Sequence, residues 1–125
     1  MYIVGVVIPV PEHRRADYLA WARMSAALLM EYGCQSVTEA IEDLVPIGQQ
    51  TDFRRAVAAR PGEKIVFAWQ IWPDKETLDR AEAAMSQDPR FASPDDLPFD
   101  QKRLIMGCFT PLLTDAAGIA EQLAT

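Results

Sequence analysis

The sequence predicts an α+β fold with a single antiparallel sheet, and three observations lead to this prediction. Apolar runs rich in β-branched residues, which are typical of strands, occur near the start, in the middle and towards the end of the chain. Two other segments repeat apolar residues every three or four positions, as one face of a helix does. The chain has 125 residues, the length of one domain. The predicted element order is βαββαβ.

The first three elements occupy residues 2–45. Residues 2–10 form a strand that ends at Pro9 and Pro11. A helix of about five turns follows, and Gly33 ends it because glycine adopts a left-handed backbone at little cost. Residues 35–45 alternate loosely and form the second strand. The buried helix face is predicted to contain Tyr18, Trp21, Ala22, Ser25, Leu28, Leu29 and Tyr32.

The second half of the chain begins with a long connection that opens at Pro46. Residues 65–72 are the strongest strand pattern in the sequence. Asp74 is positioned to cap the second helix, and residues 88–101 form an ordered loop with one helical turn. Residues 104–109 form the fourth strand. The second helix is predicted to bury Leu78, Ala81 and Met85.

The domain is predicted to span residues 1–113, with residues 114–125 as a C-terminal tail. The tail has a weak helical pattern that includes Ile119 and Leu123. It either frays or packs across a neighbour.

Both faces of the predicted sheet are apolar. In the third strand Ile65, Phe67 and Trp69 point one way, while Val66 and Ala68 point the other. Two helices cover one face of a four-stranded sheet, and a face exposed to water would carry polar residues. A second copy of the chain is therefore the expected cover. The alternative is that the tail and the long loops cover this face.

Charge and composition limit the partners and the compartment. The net charge is −6, which disfavours nucleic acid as a partner. The apolar run at residues 2–10 is far shorter than the ~20 residues of a membrane helix, so no membrane association is expected. Cys34 and Cys108 lie among apolar neighbours and are expected to be reduced, buried thiols of a cytoplasmic protein.

Short, separated segments of this sequence have a characteristic order and spacing. They are residues 1–5, 9–11, 51–57, 62–63, 66–69, 88–90, 98–100 and 102–107. In these segments the chain resembles the bacterial YbaA-like family of unknown function, from Met1 to about Leu113. The resemblance implies a ferredoxin-like unit that pairs into a dimeric α+β barrel, and it implies no established activity. The wider superfamily includes cofactor-independent monooxygenases, haem-handling proteins and small-molecule binders.

Few residues are candidates for catalysis. His13 is the single histidine and is expected at the surface, and with two separated cysteines it leaves no metal site and no cofactor to expect. Glu39 occupies the glutamate position of the resembled family. In an apolar barrel it would need a partner, and Arg55 or Arg103 could form that ion pair at the dimer interface. The alternative is that Glu39 is a general base.

Further candidates lie in the two loops that the resemblance covers. Arg55, beside Phe53, could belong to a lid or an anion clamp, or Phe53 could hold this loop against a partner subunit. Asp100 and Arg103 allow the same two interpretations. Trp69 could line an apolar ligand pocket, although packing in the core is the simpler role.

The sequence therefore predicts a homodimeric cytoplasmic protein of the ferredoxin-like class that binds a small molecule or is mainly structural. The alternative is a cofactor-independent, monooxygenase-like enzyme acting on a small apolar or aromatic substrate. An enzyme would require a cavity with a charged group of shifted pKa at its end. A binding or structural role would be accompanied by a filled barrel, or by an apolar cavity without a titratable group.

Overall fold

The computed structural model describes residues 1–92 and 95–117, and it confirms the predicted α+β class. Its strands are β1 (Tyr2–Pro11), β2 (Ser36–Ile41), β3 (Glu63–Trp72) and β4 (Ile105–Phe109). They form one antiparallel sheet in the order β2-β3-β1-β4. The central strands β1 and β3 pair along their whole length, from Tyr2 opposite Trp72 to Pro11 opposite Glu63. This strand order is that of a ferredoxin-like fold.

Two main helices, α1 (Arg15–Glu31) and α3 (Lys75–Met85), follow β1 and β3. Gly33 has a φ of 108° just after α1, which explains why the helix ends there. The Asp74 side chain accepts a bond of 2.7 Å from the Thr77 backbone N–H and caps α3 as predicted. Short 3₁₀ turns occupy Glu12–Arg14 and Pro89–Phe91, and the second is the helical turn expected between residues 88 and 101.

The main core lies between the helices and one face of the sheet. Tyr18 and Ala22 of α1 pack on Ile8 and Val66, while Leu78 of α3 belongs to a second cluster. That second cluster surrounds Trp72, whose side chain is fully buried. The residues of these two buried clusters are Val4, Ile8, Val10, Tyr18, Ala22, Cys34, Val66, Ala68, Trp72, Leu78, Ala81 and Phe99. The alternation predicted for β1 and β3 thus places the helices on one face.

The long connection after β2 contains a helical turn that the sequence did not predict. This is α2 (Phe53–Ala56), capped by Asp52, which accepts a bond of 2.8 Å from the Arg55 backbone N–H. The chain then buries Val57 against Val7 and Ile65. The connection therefore covers one end of the face that the helices leave open.

The structure corrects two predictions and leaves a third outside its range. β2 ends at Ile41 rather than at residue 45, and Leu44 is largely exposed. Cys34 is buried as expected, but Cys108 is exposed, because it lies on the edge strand β4 beyond the reach of the helices. The helical pattern predicted for the tail includes Ile119 and Leu123, which lie outside the described residues.

Replacing Asp74 by alanine should lower the free energy of unfolding by about 1 kcal/mol, because the first turn of α3 loses its cap. Asp79→Ala is the matched control, since Asp79 forms a surface pair with Lys75 at 3.0 Å and should contribute at most about 0.5 kcal/mol. Urea unfolding followed by circular dichroism measures both. Equal effects of the two substitutions would contradict the capping role.

Candidate functional site

The face of the sheet opposite the two main helices is open and apolar. Because side chains alternate along a strand, every second residue of β1 points to this face. The register places Phe67 of β3 and Ile105 of β4 on either side of Val7, and Ile71 and Phe109 on either side of Ile3. The sheet therefore presents three neighbouring strands of apolar side chains on this face.

This open face encloses a shallow concavity of about 630 Å³. Among the described lining residues no side chain is ionisable, and Thr114 and Trp69 carry the polar side-chain groups. Most of the lining comes from β1, β3 and β4. The lining residues are Met1, Ile3, Gly5, Val6, Val7, Phe67, Trp69, Ile71, Ile105, Met106, Gly107, Phe109 and Thr114.

Aromatic rings form much of the surface of this concavity. The ring centroids of Phe67 and Trp69 are 5.5 Å apart, and Phe53 of α2 meets Phe67 edge to face at 6.1 Å. Gly5 and Gly107 are opposite each other in the register, and the Phe109 ring lies over both. A Cβ at Gly107 would approach this ring to 3.0 Å, so glycine allows the ring to lie flat on the sheet.

Large side chains on the open face remain in contact with water. Phe67 is 46% exposed and Phe109 is 57% exposed, although both belong to a continuous apolar surface. Such a surface is unfavourable in water and marks an interaction or ligand site.

Glu39 lies on the opposite, helix-facing side of β2. Its Oε1 accepts a bond of 2.5 Å from the Tyr18 hydroxyl. Desolvation raises the pKa of the Glu39 carboxyl, against the opposing effect of the Tyr18 bond. Burial, followed by the bond to Glu39, also raises the pKa of Tyr18. Within the chain, the predicted ion pair of Glu39 with Arg55 or Arg103 does not form, because Arg55 pairs with Asp52 and Arg103 pairs with Glu63 and Asp100.

Arg55 is engaged within its own loop. Its Nε donates to Asp52 Oδ2 at 2.9 Å, its Nη1 donates to the Gln50 carbonyl at 2.9 Å, and its Nη2 donates to the Gly48 carbonyl. The Arg55 backbone N–H, followed by its guanidinium, lowers the pKa of Asp52 to about 2. An anion could bind Arg55 fully only by displacing these bonds. Phe53, on the same turn, lies at the border of the open face.

Arg103 and Asp100 join a charged cluster at one end of the sheet. Arg103 binds Glu63 through two bonds of 2.7 and 2.6 Å, and its Nε donates to Asp100 Oδ2 at 2.9 Å. It also donates to the Ala58 carbonyl at 3.0 Å, which ties this cluster to the segment after α2. The cluster therefore holds in place the segment that borders the concavity.

The six candidate residues do not form one site. Phe53 and Trp69 belong to the open face, Arg55 to the α2 loop, and Arg103 with Asp100 to the charged cluster. Glu39 is on the other side of the sheet. His13 is exposed, as expected.

Residues 1–101 match the family described as "Protein of unknown function (DUF1428)". The chain belongs to this family. It is also similar to "Uncharacterized protein YbaA" of Escherichia coli strain K12 and of Shigella flexneri, with 37% identity over 115 residues. The aligned region covers 91% of this chain and 98% of each relative. Among solved structures, "De novo designed protein Foldit4" has a TM-score of 0.42 and 18% identity, covering 88% of this chain and 97% of that one.

The resemblance predicted from the sequence is thus confirmed for this DUF1428 member. Within residues 1–92 and 95–117, no helix is long and apolar enough to cross a membrane. The same ranges contain no group of three histidine, cysteine, aspartate or glutamate side chains that could hold a metal ion.

Sequence reasoning missed two residues of this DUF1428 protein. Tyr18 was assigned only to the buried stripe of α1, although it carries the one hydroxyl that reaches Glu39. The sequence pattern does not single out Glu63 as a partner for Arg103. Glu63 is nevertheless only 9% exposed and accepts two of the hydrogen bonds that the Arg103 guanidinium donates. A charged residue at the start of a strongly apolar strand was the available signal for Glu63.

Arg103→Met should lower the free energy of unfolding at neutral pH by about 3 kcal/mol, because Glu63 stays buried without its partner. The Arg103 bonds lower the pKa of Glu63 below its ordinary 4.5. This stabilisation is therefore complete above pH 4.5 and is lost as the pH falls through the lowered pKa. The difference in the free energy of unfolding between the parent and Arg103→Met should therefore be smaller at acidic pH than at neutral pH. Urea unfolding at both pH values measures it.

Arg80→Met is the control, since Arg80 is exposed and donates only a long bond of 3.4 Å to Thr77. It should change the stability by less than about 0.5 kcal/mol at either pH. A pH-independent loss in Arg103→Met would show that Glu63 is not the source of the effect.

Proposed function

We propose that this DUF1428 protein is a homodimer that functions as a small-molecule-binding module. In this proposal two copies face each other across their open sheet faces and form a dimeric α+β barrel. The observation that carries the proposal is the exposed, continuous apolar face between β4 and the α2 segment. The single domain of residues 1–113 is the repeating unit, and the tail from residue 114 starts at the edge of this face.

The physical argument for a second copy begins with the hydrophobic effect. Burying one large apolar side chain is worth about 1.5–3 kcal/mol when the side chain starts fully exposed. Phe67, Ile105 and Phe109 are about half exposed, so covering them in both copies would contribute several times that amount. A two-fold contact uses the same face of each copy and closes on itself. No complementary partner of another kind is then needed.

The character of the concavity supports binding more than catalysis. A cofactor-independent oxygenase needs a group that moves a proton at the reacting atoms. Within residues 1–92 and 95–117, the lining of the open face offers mainly apolar and aromatic side chains and no ionisable side chain. Such a lining fits an apolar or aromatic molecule that is held only by the burial of its apolar surface. The proposed ligand is therefore a small apolar or aromatic compound.

The proposed cellular compartment and the exclusion of nucleic acid as a partner follow from charge and composition. We infer a cytoplasmic protein, in keeping with its two free cysteines, one of them exposed. The net charge of −6 supports the view that nucleic acid is not its partner. No cofactor is part of the proposed binding function.

Phe67→Asp should weaken the dimer about 100-fold or more, because each copy would place a carboxylate in an apolar interface. Analytical ultracentrifugation over a concentration series measures the dissociation constant. Met24→Asp is the matched control, since Met24 is 52% exposed on α1, on the other side of the sheet. It should leave the dimer intact. A parent protein that stays monomeric at all concentrations would contradict the proposal.

Native mass spectrometry of the protein, taken gently from cells, should detect a dimer that carries a reproducible additional mass. The reason for this expectation is that, in the proposed dimer, the second copy closes the concavity over the ligand and retains it. Trp69→Glu should lose the additional mass, because the charge lies in the lining. A bare dimer in every preparation would support the structural role alone and would contradict tight ligand binding.

A further inference from the structure

A second cleft opens on the helix-facing side of the sheet, away from the proposed dimer interface. It has a volume of about 200 Å³ and lies between α1 and the edge strand β2. Its lining mixes apolar side chains with a carboxylate, a phenol and a guanidinium. The lining residues are Arg15, Tyr18, Leu19, Glu39, Ile41 and Val66.

The central polar group of this cleft is the Glu39 carboxylate. It accepts a hydrogen bond from the Tyr18 hydroxyl. Tyr18 is only 5% exposed, so its ring fixes one side of the carboxylate. A carboxylate has about four acceptor positions, and the phenol uses one of them.

Within residues 1–92 and 95–117, no lysine or arginine forms a salt bridge with Glu39. Arg15 lies at the rim and is paired with Glu12 at 3.5 Å, with more than half of its side chain in solvent. The raised pKa of Glu39 reflects the same fact, since desolvation outweighs the one bond that stabilises its charge. Glu39 is itself exposed at the cleft, and the Arg15 guanidinium in the same lining pairs with Glu12 rather than with Glu39. The cleft thus holds a solvent-accessible carboxylate that forms no direct ion pair within the described residues.

We propose that this cleft binds a small organic cation, a primary ammonium on a compact apolar body. The ammonium donates to the Glu39 carboxylate, and the apolar body contacts Leu19, Ile41 and Val66. An ammonium has three N–H donors and supplies the missing positive charge. The volume of about 200 Å³ admits a branched body of about four carbon atoms. This site is independent of the open face and of dimer formation.

Three compounds with the same branched carbon skeleton test the charge preference. Isobutylammonium, isobutanol and isobutyrate are titrated into protein with ¹³C-labelled methyl groups, followed by NMR. Isobutylammonium should shift the methyl resonances of Leu19, Ile41 and Val66 together with the side-chain carboxyl of Glu39. Isobutanol should bind at least tenfold more weakly, and isobutyrate should produce no saturable shift.

Glu39→Gln keeps an acceptor for Tyr18 and removes the charge, so it should weaken isobutylammonium binding at least tenfold. Glu76→Gln is the control, because it makes the same change in net charge in the first turn of α3. It should bind like the parent. Leu19→Lys is a second variant at an exposed helix position, where substitution is compatible with folding. Its ammonium group should compete for Glu39 and also weaken binding at least tenfold.

Equal binding of isobutylammonium to the parent, Glu39→Gln and Leu19→Lys would overturn the proposal. So would a stronger response to isobutyrate, or the absence of any saturable shift with isobutylammonium. With any of these three outcomes, the bond between Tyr18 and Glu39 would serve only to connect α1 to β2. None of these outcomes depends on the oligomeric state, so the dimer proposal is tested separately.

Discussion

The alternation of side chains along β1 and β3 is the constraint on which the rest of this structure depends. Both strands carry apolar residues at successive positions, so each face of the sheet has to be removed from water. Helices α1 and α3 cover one face, and within residues 1–92 and 95–117 the α2 segment covers one end of the other. The open face is therefore a consequence of a strand composition that suits burial on two sides.

The same constraint separates two kinds of surface on the sheet. On the open face the described lining is largely apolar and offers shape and aromatic area, with no ionisable side chain. On the helix side, the edge strand β2 places Glu39 next to Tyr18 at the border between core and solvent. A single sheet thus presents an uncharged surface on one side and a charged cleft on the other.

The features of the fold that could be predicted from the sequence are those set by local chemistry. The Asp74 cap, the end of α1 at Gly33 and the alternation in β3 each depend on residues within a few positions of one another. The end of β2 was placed too late, because strand pairing with β3 and not residue pattern decides where it ends. The helical turn α2 was missed because its four residues are too few for a periodic pattern.

The side-chain partners were harder to predict, for a physical reason. Several carboxylates compete for each arginine, and distances in space decide the outcome. Arg55 binds Asp52 three residues away, whereas Arg103 binds Glu63 from forty residues earlier. Glu39 is expected to pair with a cation, but in the structure it accepts a hydrogen bond from the Tyr18 hydroxyl of α1 instead. Residue types alone do not distinguish these pairings.

The Phe109 ring that lies over Gly5 and Gly107 has one further consequence. Its atoms, and not the backbone, are what a new side chain at position 107 would meet. A methyl group there would meet the ring at 3.0 Å, so the ring would have to give way by a few tenths of an ångström. The relief of this apolar surface is therefore set by its glycines as well as by the large side chains around them.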